Sequence, residues 1–121
     1  MSVRRVLIVD DSKVSRIMIR RTMSAKHPDW VYDEAANVEE AVALVTASPY
    51  DLVSMDWNMP GKNGLEGIEL LRAVRPDLAI TMFTANVQQA ARDQAEALGV
   101  AFVDKPVSEA SINRLLASIG G

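Results

Sequence analysis

Five short apolar runs, each followed by residues with the spacing of an amphipathic helix, constrain the fold of this 121-residue chain more than any other feature. Short apolar runs bounded by turn residues are typical of buried strands. We predict strands at Val6–Val9, Trp30–Tyr32, Leu52–Met55, Leu78–Phe83 and Val100–Val103. Alternating strands and helices indicate a parallel sheet covered by helices on both faces. The predicted fold class is therefore α/β, in a single domain over residues 1–121.

Each predicted helix has a recognisable start or end. Ser12, Asn37 and Ser108 are placed to cap three helices, and Glu40 would complete a capping box with Asn37. Gly99 is placed just after the fourth helix, where a left-handed residue is favoured. We expect the apolar positions at helical spacing to face the core. They are Val14, Ile17, Met18 and Met23, then Val38, Ala41, Val42 and Val45, then Leu65, Ile68, Leu71 and Val74, then Val87, Ala91, Ala95 and Leu98, and finally Ile112, Leu115, Leu116 and Ile119.

Composition excludes several classes of function. The net charge of −3 comes from interspersed acidic and basic residues, which argues against a basic nucleic-acid-binding surface. The absence of cysteine excludes disulfides, thiolate catalysis and cysteine-ligated zinc. The sequence has neither an apolar run of membrane-spanning length nor a signal peptide, so we expect a cytoplasmic protein without membrane contact. His27 lies beside Pro28 in a polar stretch, and we interpret it as a surface residue.

Polar residues follow four of the five apolar runs. Asp10 and Asp11 follow the first, Asp56 the third and Thr84 the fourth, and Lys105 comes shortly after the fifth. The carboxyl ends of parallel strands lie at one edge of the sheet, where open α/β sheets bind their ligands. Each residue alone could be a helix cap or an ion-pair partner. Their recurrence on separate strands favours one shared site.

Three carboxylates, a hydroxyl and an ammonium group in one cleft suit phosphoryl transfer. A hard divalent cation would relieve the mutual repulsion of Asp10, Asp11 and Asp56, and Mg²⁺ binds through carboxylates and phosphate oxygens, with Mn²⁺ as the alternative. A cation and Lys105 on either side of a phosphoryl group would stabilise its transition state by charge. Asp56 is then the candidate nucleophile, forming an acyl phosphate.

The sequence resembles the receiver domain of two-component response regulators, in particular the stand-alone chemotaxis regulator. The resemblance covers the whole chain and is carried by five segments in order, VLIVDDS, AANVEEA, DLVSMDWNMPGKNGLE, ITMFTA and VDKP. It implies a (βα)5 doubly wound parallel sheet of the flavodoxin-like type, with strand order 2-1-3-4-5. Val38 departs from the Gly that the family often has after Asn37, at a helix start and away from the site.

The resemblance also implies a role for each polar residue. Asp56 would accept the phosphoryl group from a phosphohistidine on a sensor histidine kinase or a histidine phosphotransfer protein. Mg²⁺ would be bound directly by Asp11 and Asp56, and through water by Asp10. The backbone carbonyl of Asn58 would be a further metal ligand. Lys105 would bind a phosphate oxygen.

Four further features follow from the same resemblance. Thr84 would be the switch hydroxyl that moves toward the phosphate, and Phe102 the aromatic residue that rotates with it, although plain core packing explains Phe102 nearly as well. Asn58 and Asn86 lie at positions that tune hydrolysis. The Lys105–Pro106 peptide would be cis.

The predicted function is a phosphorelay signalling switch that modifies itself, not an enzyme that turns over a free substrate. Phosphorylation would alter a surface made of the fourth helix, the fifth strand and the last helix, where a protein target binds. Candidate contact residues there are Gln88, Arg92, Asn113 and Arg114, for which simple solvent exposure is the alternative. The end at Gly120–Gly121 fits a stand-alone receiver or a fragment of a longer regulator, and Met1 as a natural start slightly favours the first.

Two other classes of protein share parts of this pattern. A phosphatase of the haloacid-dehalogenase type also uses a strand-end Asp and magnesium, but it needs an acid two residues later, where this chain has Asn58. A flavodoxin needs a phosphate loop rich in Ser, Thr and Gly after the first strand, where Asp10 and Asp11 would repel the phosphate of the flavin. Turnover of a phosphomonoester would favour the phosphatase, and a yellow protein the flavodoxin.

Overall fold

Five parallel strands and five helices alternate along the chain. The structure, a computed structural model, describes residues 4–57, 64–84, 89–104 and 108–117. The strands are β1 (Arg5–Val9), β2 (Val31–Ala35), β3 (Leu52–Asp56), β4 (Ile80–Thr84) and β5 (Ala101–Asp104). The helices are α1 (Lys13–Lys26), α2 (Val38–Ala47), α3 (Gly64–Val74), α4 (Gln89–Ala97) and α5 (Glu109–Ala117). None of the helices in these ranges is long and apolar enough to cross a membrane.

The strands form one sheet in the order β2-β1-β3-β4-β5, and every neighbouring pair is parallel. This confirms the predicted α/β class and the flavodoxin-like strand order. The order reverses between β1 and β3, so the residues that follow these two strands border the crevice where such sheets bind ligands.

Alternate residues of each strand supply two separate cores, because successive side chains point to opposite faces of a sheet. Leu7 and Val9 of β1 belong to one core, whereas Val6 and Ile8 belong to the other. The first core is completed by α2, α3 and α4, through Ala41, Val45, Ile68, Leu71 and Ala95. The second is completed by α1 and α5, through Ile19, Met23, Ile112, Leu115 and Leu116. The sheet is therefore covered on both faces, and Asp10 and Asp56 lie where β1 and β3 end at its carboxyl edge.

The predicted helix caps are confirmed. The side chains of Ser12, Asn37 and Ser108 each accept a hydrogen bond from the amide three residues later. The Glu40 carboxylate accepts one from the amide of Ala36, one residue before the Asn37 amide that a capping box would use. Gly99 has φ +79°, the left-handed conformation that favours glycine. The Ser12 cap matters most for function, since it starts α1 immediately after Asp10 and Asp11.

The prediction that Val14, Ile17 and Met18 face the core was wrong. Their side chains are 67%, 37% and 45% exposed, and α1 packs on the sheet through Ile19 and Met23 instead. At about 100° per residue, Val14 and Ile17 lie roughly 140–160° around the helix from Ile19. Since α1 has apolar residues on both sides, spacing alone could not identify the buried side. Leu98 is also exposed, because it lies beyond the last residue of α4.

Candidate acidic site at the carboxyl edge of the sheet

Three carboxylates meet where β1 and β3 end. Carboxylate oxygens of Asp10, Asp11 and Asp56 all lie within 4.8 Å of one another. Asp10 and Asp56 are buried, with 1% and 5% of their surface exposed, and Asp11 is exposed. The adjacency arises because β1 and β3 pair in register, Val9 opposite Met55, so that the next residue on each strand carries the acid.

Hydrogen bonds on three sides hold Asp10 in place. Its amide donates to the carbonyl of Ala35 at the end of β2, at 3.1 Å. Its Oδ1 accepts from the amide of Ser12 at 2.9 Å. Its backbone carbonyl accepts from Nη1 of Arg16 at 2.6 Å. The loop that carries two of the three acids is therefore tied to both β2 and α1.

Glu34, on β2, anchors two arginines of α1. Its carboxylate accepts from Nε of Arg16 and from Nη1 of Arg20, both at 2.9 Å. Burial by itself would raise the pKa of Glu34, but the hydrogen bonds and charges of Arg16 and Arg20 outweigh it, so the pKa lies below the usual value. Glu34 is therefore ionised at neutral pH, and it forms an ion pair with each of the two arginines.

Thr84 ends β4 on the other side of Asp56. Asp56 pairs with Phe83, and the amide of Trp57 donates to the carbonyl of Phe83 at 2.9 Å. Thr84 is the next residue after Phe83 and is 1% exposed. It pairs in turn with Asp104 at the end of β5. Register thus places Thr84 at the same edge, on the strand next to the one that carries Asp56.

An aromatic contact leads from the site toward α4. The rings of Trp57 and Phe102 have centroids 5.5 Å apart and are tilted by 52°. The guanidinium of Arg92, on α4, lies 5.1 Å from the centroid of Phe102. Gly64 packs directly on the indole, where a Cβ would overlap ring atoms of Trp57. Phe102 is thus partly buried beside the residue that follows Asp56, and it contacts α4 as well.

Part of the predicted constellation lies outside the residues that the structure describes. These residues are Asn58, Asn86, Gln88, Lys105 and Pro106. The structure brings Asp10, Asp11 and Asp56 together and places Thr84 beside them by register. The metal carbonyl ligand, the phosphate-binding lysine, the cis peptide and the hydrolysis-tuning positions remain predictions.

The donor set of the pocket fits a hard divalent cation. All three groups are carboxylates, and Mg²⁺ takes oxygen ligands while keeping several of its waters. One exposed acid beside two buried ones leaves a side open to solvent, from which a cation and its waters can enter. A metal that prefers thiolate or imidazole ligands does not fit an all-carboxylate set.

Sequence reasoning missed Arg16 and Glu34. Arg16 follows Asp10 by six residues, and its spacing to Arg20 could only suggest one shared helix face. Glu34 comes near α1 only because β2 pairs with β1, opposite Ile8. No local pattern contains that pairing, so this contact could be found only in three dimensions.

Comparison with known proteins gives one consistent family. Residues 6–117 match the family model of the response regulator receiver domain. The two-component response regulator ORR41 of Oryza sativa subsp. japonica is 34% identical over 116 residues, covering 93% of this chain and 91% of that protein. The solved structure of the Vibrio cholerae chemotaxis protein CheY4 superposes with a TM-score of 0.85 at 25% identity, covering 98% of this chain and 99% of that one.

Other relatives are longer than this chain. A protein-glutamate methylesterase/protein-glutamine glutaminase of Nocardioides sp. is 33% identical over 118 residues. The match covers 95% of this chain but 32% of that protein, so the chain spans about a third of the length of this relative. The similarity therefore concerns the part of that protein that matches, and the activity in its name is not transferred to this chain.

Proposed function

Because the chain belongs to the response regulator receiver domain family, we propose that it is a phospho-accepting signalling switch in which Asp56 takes a phosphoryl group from a phosphohistidine. The observation that carries the proposal is the convergence of Asp10, Asp11 and Asp56 within 4.8 Å at the carboxyl edge of the sheet. An all-carboxylate cluster at the ligand-binding edge of an open α/β sheet supports a site for a hard divalent cation and a phosphoryl group.

Mg²⁺ is the proposed cofactor, with Mn²⁺ as the alternative. Asp11 and Asp56 would bind it directly and Asp10 through water, with the backbone carbonyl of Asn58 as a further ligand. When bound, the cation supplies positive charge that neutralises the acids and the transferring oxygens. Ser12 and Arg16 keep Asp10 in position by hydrogen bonds to its carboxylate and its carbonyl.

In the proposed transfer, a carboxylate oxygen of Asp56 attacks phosphorus, the new O–P bond forms, and the P–N bond to the donor imidazole breaks. With a proton on the other ring nitrogen of the donor, the imidazole leaves as a neutral group, and the product is an acyl phosphate on Asp56. Lys105, which follows Asp104 in sequence, would pair with a phosphate oxygen, and the Thr84 hydroxyl would donate to another. Phosphoryl transfer depends chiefly on such positioning and charge. Water attack on the acyl phosphate would reset the switch, at a rate tuned by the residues at positions 58 and 86.

The proposed output runs from Thr84 to the surface formed by α4, β5 and α5. Phe102 is in contact with both Trp57 and Arg92, so a rearrangement beside Asp56 can be passed to α4 through packed side chains. Asn113 and Arg114 are exposed on α5, and Arg92 is partly exposed, as a target-binding surface requires. The proposed partner on this surface is a protein target. The chain itself is proposed to act as a switch and not as an enzyme that turns over a free substrate.

The exposed apolar side of α1, made of Val14, Ile17 and Met18, is the proposed docking surface for the phosphodonor. It begins at Val14 in the first turn of α1, three residues after Asp11, so a donor bound there would have its phosphohistidine near the pocket. Three apolar side chains that adjoin one another on an exposed helix face offer a protein partner apolar area to bury.

Met18→Glu is expected to slow phosphotransfer from a purified, phosphorylated histidine phosphotransfer protein by at least about tenfold, because a charge in a packed contact costs at least about 1.4 kcal/mol. Labelling by acetyl phosphate should be unchanged, since this small donor needs no docking surface. Leu70→Glu is the matched control, because Leu70 is 40% exposed on α3, on the other side of the sheet. Equal rates for Met18→Glu and the unsubstituted protein with the protein donor would contradict the docking proposal.

The indole of Trp57 is the built-in reporter of the proposed function. With Trp30 replaced by Phe, Trp57 is the only tryptophan, and it adjoins Asp56. Its fluorescence is expected to change on titration with Mg²⁺ and again on addition of beryllofluoride, a mimic of the phosphoryl group. An unchanged spectrum at millimolar Mg²⁺ would contradict the metal pocket, and the same response in an Asp56→Asn variant would show that it arises elsewhere.

A further inference from the structure

Two arginines on one face of α1 bind the same carboxylate but differ in what else they contact. Arg16 and Arg20 each donate to Glu34 at 2.9 Å. Only Arg16 reaches the acidic loop, with Nη1 2.6 Å from the carbonyl oxygen of Asp10. The Arg16 side chain is 14% exposed and that of Arg20 is 51% exposed. The two residues therefore offer a natural comparison of a positioned guanidinium with a solvated one.

Hydrogen bonds through Arg16 connect the loop that carries Asp10 and Asp11 to β2. The amide of Asp10 donates to the carbonyl of Ala35, the neighbour of Glu34 on β2. The Glu34 carboxylate holds the Arg16 guanidinium, which in turn holds the carbonyl of Asp10. The amide of Asp10 is thus bound to β2 directly, and its carbonyl is bound to β2 through Arg16 and Glu34.

The carbonyl of Asp10 belongs to the peptide plane that leads into Asp11. Because the peptide group is planar, fixing that oxygen also fixes the amide and the Cα of Asp11. Asp11 is exposed and so lacks the close packing that holds Asp10 and Asp56. The direction of its carboxylate therefore depends on how the preceding peptide plane is held.

Resting on the proposed function, we infer that Arg16 is a positioning residue for the metal pocket, which it serves by clamping the Asp10–Asp11 peptide plane against Glu34. It touches neither the cation nor the phosphoryl group. Its role is to hold Asp11 within reach of Asp56 before a cation arrives, so that binding needs no ordering of the loop. Glu34 orients the guanidinium and balances its charge.

The sign of the effect separates this role from simple electrostatics. A positive charge near an acidic pocket repels a cation, so loss of Arg16 as a mere charge would strengthen metal binding. Loss of a clamp would weaken it. Residues that hold metal ligands from behind typically contribute about 10–100-fold to metal affinity.

Arg16→Lys is the decisive variant, because it keeps the charge but cannot match the planar fork that bonds Glu34 and the Asp10 carbonyl together. We expect its Mg²⁺ affinity to fall by about tenfold, at the lower end of that range. Affinity is measured by Trp57 fluorescence in the Trp30→Phe background, and independently by electron paramagnetic resonance of free Mn²⁺. Arg16→Met should also weaken binding, despite the loss of a repelling charge.

Arg20→Lys and Arg20→Met are the matched controls, and their metal affinities should stay within about twofold of the parent, because Arg20 contacts the same Glu34 without reaching Asp10. Glu34→Ala should weaken binding through Arg16. Adding it to Arg16→Lys should therefore cost little more, since residues in one network act non-additively. Thermal unfolding of each variant without metal identifies any that fail to fold. Arg16→Lys keeps the positive charge and is the variant expected to disturb folding least.

The outcomes are separable from those of the proposed function. If the parent protein binds Mg²⁺ and accepts phosphate but Arg16→Lys binds Mg²⁺ equally well, the positioning role is overturned and the function stands. Tighter binding by Arg16→Met would also overturn it, since charge alone would then explain the data. Equal weakening by the Arg20 variants would overturn it too, because contact with Glu34 would then matter without contact with Asp10. If the parent neither binds metal nor accepts phosphate, the proposed function fails and this inference fails with it.

Discussion

Replacing Asp56 with Asn is expected to reduce phosphoryl acceptance from acetyl phosphate by at least about a thousandfold, because a neutral amide cannot serve as the nucleophile of an acyl phosphate. Asn has nearly the same shape as Asp, so a buried position at the end of β3 should accept it. The change also removes one of three clustered negative charges. Initial labelling rates in Mg²⁺ with radioactive acetyl phosphate measure the effect.

Asp104→Asn is the control for Asp56→Asn. Asp104 also ends a strand at the carboxyl edge of the sheet, but it is exposed and is not one of the three clustered acids. It should label within a few-fold of the unsubstituted protein, while circular dichroism shows both variants folded. If Asp56→Asn labelled as fast as the unsubstituted protein, another residue would be the acceptor and the proposed mechanism would be wrong.

Asp11→Asn is expected to lower Mg²⁺ affinity by at least about a hundredfold, since losing a charged ligand exceeds the roughly 10–100-fold effect of residues that only orient ligands. At ten times its Kd, Mg²⁺ stabilises the folded protein by about 1.4 kcal/mol. This gain should vanish in the variant at the same metal concentration. Without metal, the variant should melt no lower than the unsubstituted protein, because removing one of three neighbouring like charges relieves repulsion.

Thermal unfolding with and without Mg²⁺ provides that measurement. Asp11 suits it better than Asp10, because Asp10 is buried and accepts a hydrogen bond from Ser12, so its replacement would change stability for a second reason. A variant that kept the full stabilisation by Mg²⁺ would exclude Asp11 as a ligand. A variant that was destabilised without metal would show that Asp11 has a structural role instead.

Much of the fold could be predicted from the sequence because it depends on local patterns. Strand runs such as Leu52–Met55 are short, apolar and bounded by turn residues, and each corresponds to a strand in the structure. The caps at Ser12 and Asn37 need only a side chain and an amide three residues later. The convergence of the three acids followed from one topological rule, that parallel strands end at one edge. The strand order itself came from family resemblance.

The features that sequence analysis did not predict all depend on tertiary contacts. Which side of α1 is buried depends on how α1 lies on the sheet, so Val14, Ile17 and Met18 were assigned to the core although they face solvent. The contact of Arg16 with Asp10 and Glu34 joins three separate elements. Both surprises concern α1, whose apolar and charged residues are distributed around the whole helix.

The central claim, that acids from separate strands hold a cation beside Asp56 and that Asp56 accepts one phosphoryl group, is tested most directly by incubating the protein with acetyl phosphate and Mg²⁺ and locating the product by mass spectrometry. We expect the added mass of one phosphoryl group, lost on treatment with hydroxylamine as an acyl phosphate should be, and confined to the peptide that contains Asp56. Chelation of the metal should abolish it. No incorporation, incorporation that survives chelation, or a label on any other residue would contradict the account.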